Sequence, residues 1–431
     1  MNAMRPLVCV LLLMTSGCMA RRELAPIDEL TLSVDATAVT AAALDEPLTA
    51  ARALQIALAQ NPEVRAALAR LDAVEAERVQ AGLLRNPMLS LMAMRPDGGG
   101  RLAVTASWMQ SLFDLLTRSR RVALADADAR RARADVALRL LDVGWQAQTA
   151  FHEAVAAIAR VRLLQSELAL DTQALDLQTR WAQRGLSSQA DVLRLQAMRD
   201  ERLHMRHQAE VDAVRAQSLL AQRLGLDSPH SLRLPDDVER PELPSGVLAD
   251  WQSRALAERP ELKASAAAIE VVTRTHAIET GPLRASEPEL GITLERATDG
   301  MTMVGPELRI ALPWFDRGQA RDMRLDAMHR EATWRDEAQR RQVLLEVERA
   351  LSVLIHAVHT VEDSEQHLSR AQMADALAAR EQRSGNIGLM ARIAAQRDVL
   401  AAERQHLDAC SELAQMQVEL QRAVGSPGAG G

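Results

Sequence analysis

The same landmarks occur twice along the chain, about 200 residues apart. Asn61-Pro62-Glu63-Val64-Arg65 is echoed by Arg259-Pro260-Glu261-Leu262-Lys263 at an offset of 198, and Ser111-Leu112-Phe113-Asp114 by Pro313-Trp314-Phe315-Asp316 at 202. Arg184-Gly185 returns as Ser384-Gly385 and Gly225 as Gly425, both at 200. Landmarks kept in order at nearly constant spacing mark a duplicated module, so one plan must be built twice. Length alone would suggest about three domains for 431 residues. The duplication instead gives a leader (1–17), an N-terminal extension (18–44), a first repeat (45–233), a Pro-rich linker (234–246), a second repeat (247–426) and a tail (427–431).

Each copy has the same internal order. A helix is expected over Thr49–Leu84 in the first and Leu248–Thr280 in the second. Period-two alternation follows. Leu102, Val104, Ala106 and Trp108 alternate with Arg101, Ala103, Thr105 and Ser107. In the second copy Leu290, Ile292 and Leu294 alternate with Glu289, Gly291, Thr293 and Glu295, and Leu308, Ile310 and Leu312 with Glu307, Arg309 and Ala311. Such patterns make strands with one apolar and one polar face. Asp97-Gly98-Gly99-Gly100 and Asp299-Gly300 supply the turns of hairpins at 87–110 and 288–312. Met88–Met94 is their least regular member, and Pro306 is awkward inside a strand because it lacks an N–H.

Long helices come next. From Leu115 to Arg184 there is no Pro, and Gly144 is the one Gly; at about 1.5 Å per residue such a helix is roughly 100 Å long. Apolar residues recur in a three-four rhythm at Val136, Leu140, Val143, Ala147, Ala150, Ala154, Ala157, Val161, Leu164 and Leu168, and again at Leu344, Val347, Leu351, Leu354, Val358 and Val361. That rhythm is a coiled-coil seam. The helices turn back at 184–190 and 384–390, where glycines interrupt them.

Composition agrees with thin helical walls. Hydrophobic residues make up 48% of the chain but aromatics only 2%, with six Trp, three Phe and no Tyr, so Ala, Leu and Val must do the packing. Net charge is −7 with both signs interspersed, and no basic patch is interleaved with aromatics, which argues against nucleic-acid binding. Cys9, Cys18 and Cys410 make no disulfide framework. Beyond the N-terminus no apolar run reaches the roughly 18 residues of a spanning helix, a test that is blind to barrel strands. The N-terminus reads as an export signal: Arg5, apolar Leu7–Met14, then Thr15-Ser16-Gly17-Cys18. The small residues before Cys18 make it the candidate lipidation site, with cleavage after Ala20 as the alternative. Met19, rather than Asp, follows Cys18, which favours the outer membrane.

Four strands cannot close a barrel, and an open sheet edge cannot sit in lipid. Membrane barrels begin at about eight strands, so such a chain must oligomerise. The fold class expected is mainly α with a small β part: long antiparallel coiled-coil helices plus four strands per chain, forming in a homotrimer a twelve-strand barrel and an α-helical tunnel. Glu289, Glu295, Glu307 and Arg309 would then face a water-filled lumen and the Leu/Ile positions lipid. Trp108, Phe113, Trp314 and Phe315 fall where strand passes to helix, either as membrane-interface aromatics or as packing of that junction.

With these residues in view the chain resembles the TolC-type outer-membrane efflux factors. Residues 48–90 resemble the family's first helix and strand, RGLSSQADVLRLQ from Arg184 its hairpin tip, and GPELRIALPWFDRGQARDMRLDA from Gly305 the second-repeat strand and helix start, especially in the heavy-metal branch. The resemblance covers roughly residues 45–426. It implies an outer-membrane lipoprotein that conducts substrates passively, metal cations among the candidates. The implied partners are a periplasmic adaptor (membrane-fusion) protein, a proton-driven inner-membrane pump and outer-membrane lipids. It places adaptor docking at Arg184, Gly185, Leu186 and Ser187 and at Ser384, Gly385, Asn386 and Ile387. It makes Asp191 a candidate entrance gate, although Ala391 and Ala394 leave the second copy without the matching acids. Type I secretion is the alternative export role.

No enzyme is expected, and no cofactor. Nucleophile elbow, P-loop and dinucleotide fingerprints are missing from the sequence. His204/His207 and His356/His359 each share a helical face but lack further ligands, and read as solvated histidines. Two other readings compete: a periplasmic coiled-coil adaptor, which would carry one helical hairpin rather than two, and a soluble helical scaffold, which leaves the alternating runs unexplained.

Overall fold

The structure, a computed structural model, describes residues 47–229, 232–235, 238 and 246–426. The leader, Cys18, most of the linker and the tail lie outside the described residues.

Asn61-Pro62 and Arg259-Pro260 do more than mark the repeat. Proline suits the first turn of a helix and breaks an interior. Where one helix is expected at the start of each copy, there are therefore two: α1 (Ala50–Gln60) and α2 (Pro62–Ala81) in the first. Strands β1 (Met88–Met94) and β2 (Ala103–Ser111) and helices α3 (Leu112–Gln183) and α4 (Gln189–Leu224) complete that copy. The second copy repeats the order with α5 (Leu248–Glu258), α6 (Pro260–Glu279), a short α7 (Pro282–Ser286), β3 (Glu289–Arg296), β4 (Thr302–Arg309), α8 (Gln319–Arg383) and α9 (Leu389–Val424). The first two helices have 11 and 20 residues in both copies and the last has 36, while α3 has 72 and α8 has 65. Asn61 caps α2 by accepting the Glu63 N–H at 2.8 Å. Arg259 has the same backbone conformation and forms ion pairs with Glu261 and Glu346.

The strands form one antiparallel sheet in the order β1-β2-β3-β4, with the two repeats joined through β2 and β3. β2 runs to Ser111, one residue beyond the end of the hairpin expected at 87–110. β4 starts at Thr302 and ends at Arg309, so Ile310 and Leu312 lie past it. Pro306 sits in this edge strand, where a residue without N–H is tolerated.

Each repeat folds its long helices into a hairpin, α3 on α4 and α8 on α9, and α9 packs along α3 to join them. In the first seam Val136, Leu140, Val143, Ala147, Ala150, Ala154, Ala157 and Leu164 are buried. Val161 and Leu168 are only half-buried, because the buried carboxylates Glu167 and Asp171 take the interior positions there. The second seam is shifted. Val347, Leu354 and Val361 are buried as expected, but Val343, Ala350 and Ala357 replace Leu344, Leu351 and Val358. Small alanines let α9 approach closely, and the larger leucines lie on the flank. Around Gly144 the helix α3 is covered on several sides, with Trp145, Gln148, Phe151 and Val155 also buried. A side chain at Gly144 would collide with Leu54 of α1, so this glycine permits that close crossing.

Candidate functional site

The register sorts the sheet into two faces, since directly paired residues point the same way. Leu89, Trp108, Ile292 and Pro306 form one row, and Leu91, Ala106, Leu294 and Val304 the next. Leu290 and Leu308 extend the same apolar face, on which Leu89, Leu91, Ile292, Val304 and Leu308 are all exposed. The opposite face carries Ser90, Thr105, Ser107, Thr293, Glu289, Glu295, Glu307 and Arg309, interspersed with Met88, Met92, Met109 and Met303. Here Thr293 donates to Glu307, and Arg309 reaches Glu289 at 3.4 Å and Glu307 at 3.2 Å. All four charged residues singled out from the sequence thus share the polar face. Both outer strands, β1 and β4, keep an open edge within the chain.

At the helix ends of the sheet, Trp314 and Phe315 are 71% and 92% exposed, and Trp108 is partly exposed. Phe113 differs: it is buried, with the Arg284 guanidinium 5.5 Å above its ring. Its place as the second residue of α3 turns it into the junction.

At the other end the two helical hairpins have the same turn. Gly185 and Gly385 adopt φ +73 and +80, a left-handed conformation natural to glycine. The following N–H closes back on the last helical turn, Leu186 to Trp181 O and Asn386 to Glu381 O, both at 2.9 Å. Arg184, Gly185, Leu186, Ser384, Gly385 and Asn386 are exposed, while Ser187 and Ile387 are half-buried. Gln178 donates to Ser187. Asp191 has a local role that sequence reasoning missed. Ser188 accepts its N–H at 3.1 Å, capping α4, and its hydroxyl donates to the Asp191 carboxylate at 2.7 Å. The signal was present as Ser188-x-x-Asp191. No side chain caps α9 at Gly388. Ala174, Leu175, Val192 and Leu195 from the first hairpin pack with Ile393 from the second, so the two tips lie side by side.

Just above these tips is a buried ionic cluster that the hydrophobic pattern could not reveal. Asp171 is 1% exposed and Glu167 5%. Asp171 pairs with Arg202 of α4 at 3.3 Å and Arg397 of α9 at 2.7 Å; Glu167 pairs with Arg202 at 2.5 Å and Arg404 of α9 at 3.4 Å. His204, His207, His356 and His359 are exposed, with His359 beside Glu362 at 3.3 Å. Among the described residues no group of three or more His, Cys, Asp or Glu could hold a metal ion, and no helix is long and apolar enough to cross a membrane.

A two-faced sheet with open edges, carried on twinned helical hairpins, has solved counterparts. The outer-membrane protein VceC from Vibrio cholerae matches with a TM-score of 0.71 at 17% identity, over 88% of this chain and 96% of that one. The outer-membrane channel OprN matches with a TM-score of 0.68 at 22% identity, over 89% and 91%. This is the TolC-type outer-membrane channel fold. In sequence, Protein CyaE of Bordetella pertussis is 27% identical over 321 residues, which is 68% of this chain and 64% of that protein, slightly less than two thirds of the relative's length. No protein-family model matches the chain.

Proposed function

We propose that the chain is one subunit of a homotrimeric outer-membrane channel that conducts substrates passively out of the periplasm, on behalf of an adaptor and an inner-membrane pump. The observation that carries this reading is the sheet: one face exposes a continuous apolar surface, the other gathers Glu289, Glu295, Glu307 and Arg309, and neither outer edge is paired among the described residues. A soluble protein has no use for exposed large apolar side chains on every strand, Leu89 and Leu91, Trp108, Ile292, and Val304 and Leu308, whereas a barrel closed by other copies satisfies both edges and puts the apolar face in lipid. Glu289, Glu295, Glu307 and Arg309 line the lumen in this reading, and the turns at Gly185 and Gly385 meet the adaptor. Asp191, whose carboxylate stays half-exposed beside its cap, contributes charge at the entrance. Cys18 carries the lipid anchor at the periplasmic face. The chain is a conduit and no enzyme. Selection falls to the pump, with metal cations the cargo suggested by the sequence resemblance.

The test is fractionation followed by conductance. The protein should sediment with outer membranes, purify in detergent with the mass of three chains and open a conductance in planar bilayers. Cysteines placed at Glu295 and Ile292 should differ, the first labelled by a water-borne reagent and the second shielded by lipid. A monomer in the soluble periplasm overturns the reading. Cys18→Ala should abolish acyl labelling.

A further inference from the structure

The sheet meets its helices through four short segments, 82–87, 112–121, 279–288 and 310–324, all at one end of the strands. Together they hold eight arginines and five carboxylates, a local excess of positive charge in a chain whose net charge is −7. The carboxylates are largely taken: Arg85 pairs with Asp114 at 3.3 Å, and Arg284 with Glu279 at 3.1 Å and with Glu287. Among the described residues, three arginines of α3 have no carboxylate partner. Arg118 donates to the Gly82 carbonyl at 2.7 Å, Arg120 to Ala277 O at 2.9 Å, and Arg121 to Leu83 O and Asp114 O at 3.2 and 3.3 Å. A neutral carbonyl orients a guanidinium and leaves its charge uncompensated.

Apolar groups lie on the strand side of this charge. Leu115 and Leu116 are 45% and 59% exposed, one turn nearer the sheet than Arg118 and Arg120, which are also exposed. The segment leading into α8 repeats the order: exposed Leu312, Trp314 and Phe315 precede Arg317 and Arg324, with Arg321 between them paired to Glu279 at 3.7 Å. Apolar side chains toward the strands and guanidiniums about 5 Å farther along the helix match the profile of a bilayer, in which acyl chains give way to phosphates.

We propose that this rim is a binding surface for acidic phospholipid headgroups of the leaflet that surrounds the base of the barrel, with Leu115, Leu116, Trp314 and Phe315 against acyl chains, the exposed Arg118 and Arg120 on the phosphates, and the half-buried Arg121 adding its charge from beneath them. Guanidinium is suited to this role because its forked donors bind two phosphate oxygens at once. The proposal rests on the outer-membrane reading above.

The full-length protein reconstituted in nanodiscs of phosphatidylcholine with a minor share of phosphatidylglycerol tests it, with retained lipids counted by native mass spectrometry. Wild type should hold phosphatidylglycerol about fivefold over its share of the bilayer, less so at high salt. Arg118→Gln/Arg120→Gln/Arg121→Gln should lose the enrichment, and the corresponding lysine triple variant should keep most of it. If the triple glutamine variant does not fold, Arg118→Gln, at an exposed position, should still lower the enrichment. Arg335→Gln/Arg341→Gln, on the exposed side of α8, should leave it unchanged. Insertion without any phosphatidylglycerol preference, or a preference untouched by the glutamine variants, overturns the lipid surface and leaves the channel reading standing. Failure to insert into either bilayer overturns the channel reading and the lipid surface with it.

Discussion

Gly225 and Gly425 occupy equivalent places at the ends of α4 and α9, with φ +75 and +83. Each presses on the equivalent partner. A Cβ on Gly225 would stand 2.8 Å from Asn61 Cα, and one on Gly425 3.0 Å from Arg259 Cα. Gly185 has a similar φ, but open space around it. The left-handed conformation costs a side-chain residue roughly 1–2 kcal/mol, and backbone contact adds to it. Gly225→Ala should therefore destabilise by at least about 2 kcal/mol and Gly185→Ala by about 1 kcal/mol, read as shifts in thermal unfolding of the detergent-solubilised protein. His152 supplies a second residue-level prediction. Burial pushes its pKa down to about 4 from 6.5. Above pH 6.5 both folded and unfolded states hold it neutral. Between 6.5 and 4 the unfolded state binds the proton that the folded state refuses, so stability falls as pH falls. The loss is of order 1–3 kcal/mol. His152→Gln should flatten the fall in unfolding temperature across that window relative to wild type; an unchanged slope would refute the assignment.

Among elements, α3 and α9 run antiparallel and are tied by ion pairs in sequence order: Asp142 with Arg422 at 3.7 Å, Arg160 with Asp408 at 2.8 Å, Glu167 with Arg404 at 3.4 Å and Asp171 with Arg397 at 2.7 Å. The pairs are unequal. Arg160 and Asp408 are about half exposed, where water screens the attraction, so Asp408→Ala should cost under about 1 kcal/mol. Asp171 is buried, and removing it leaves Arg397 without this carboxylate and Arg202 with Glu167 alone. Asp171→Ala should cost about 3 kcal/mol. Chemical-denaturation curves of the two variants, compared with wild type, check the ranking. Equal losses would show that the cluster is a solvated surface network.

For the whole molecule, the decisive fact is that β1 and β4 lie three strands apart in the sheet order. Neighbouring strands are about 4.8 Å apart, so β1 and β4 of one chain are far beyond disulfide reach, about 5.5–6 Å between Cα atoms. A scan of cysteine pairs, one within Leu89–Ala93 and one within Met303–Glu307, should yield covalent dimers and trimers under oxidation. Crosslinking that never exceeds one chain would exclude the closed barrel.

Much of this architecture is legible in the amino-acid sequence. The duplicated landmarks, the period-two runs with their glycine turns and the uninterrupted three-four rhythm determine two copies of a strand hairpin followed by a long helical hairpin, because each signal is local. Two further features are local as well: Pro62 and Pro260 start helices rather than lying within them, and Ser188-x-x-Asp191 is a cap. The tertiary structure alone decided the rest. Register set Arg309 of β4 opposite Glu289 of β3, since which charges meet across strands depends on pairing. The choice of Val343, Ala350 and Ala357 over Leu344, Leu351 and Val358 came from the neighbours that pack there, Ala255, Leu262, Ala409, Leu413 and Leu420 from three other helices. Glu167 and Asp171 break the hydrophobic seam, and only the approach of Arg202, Arg397 and Arg404 from two other helices makes their burial stable.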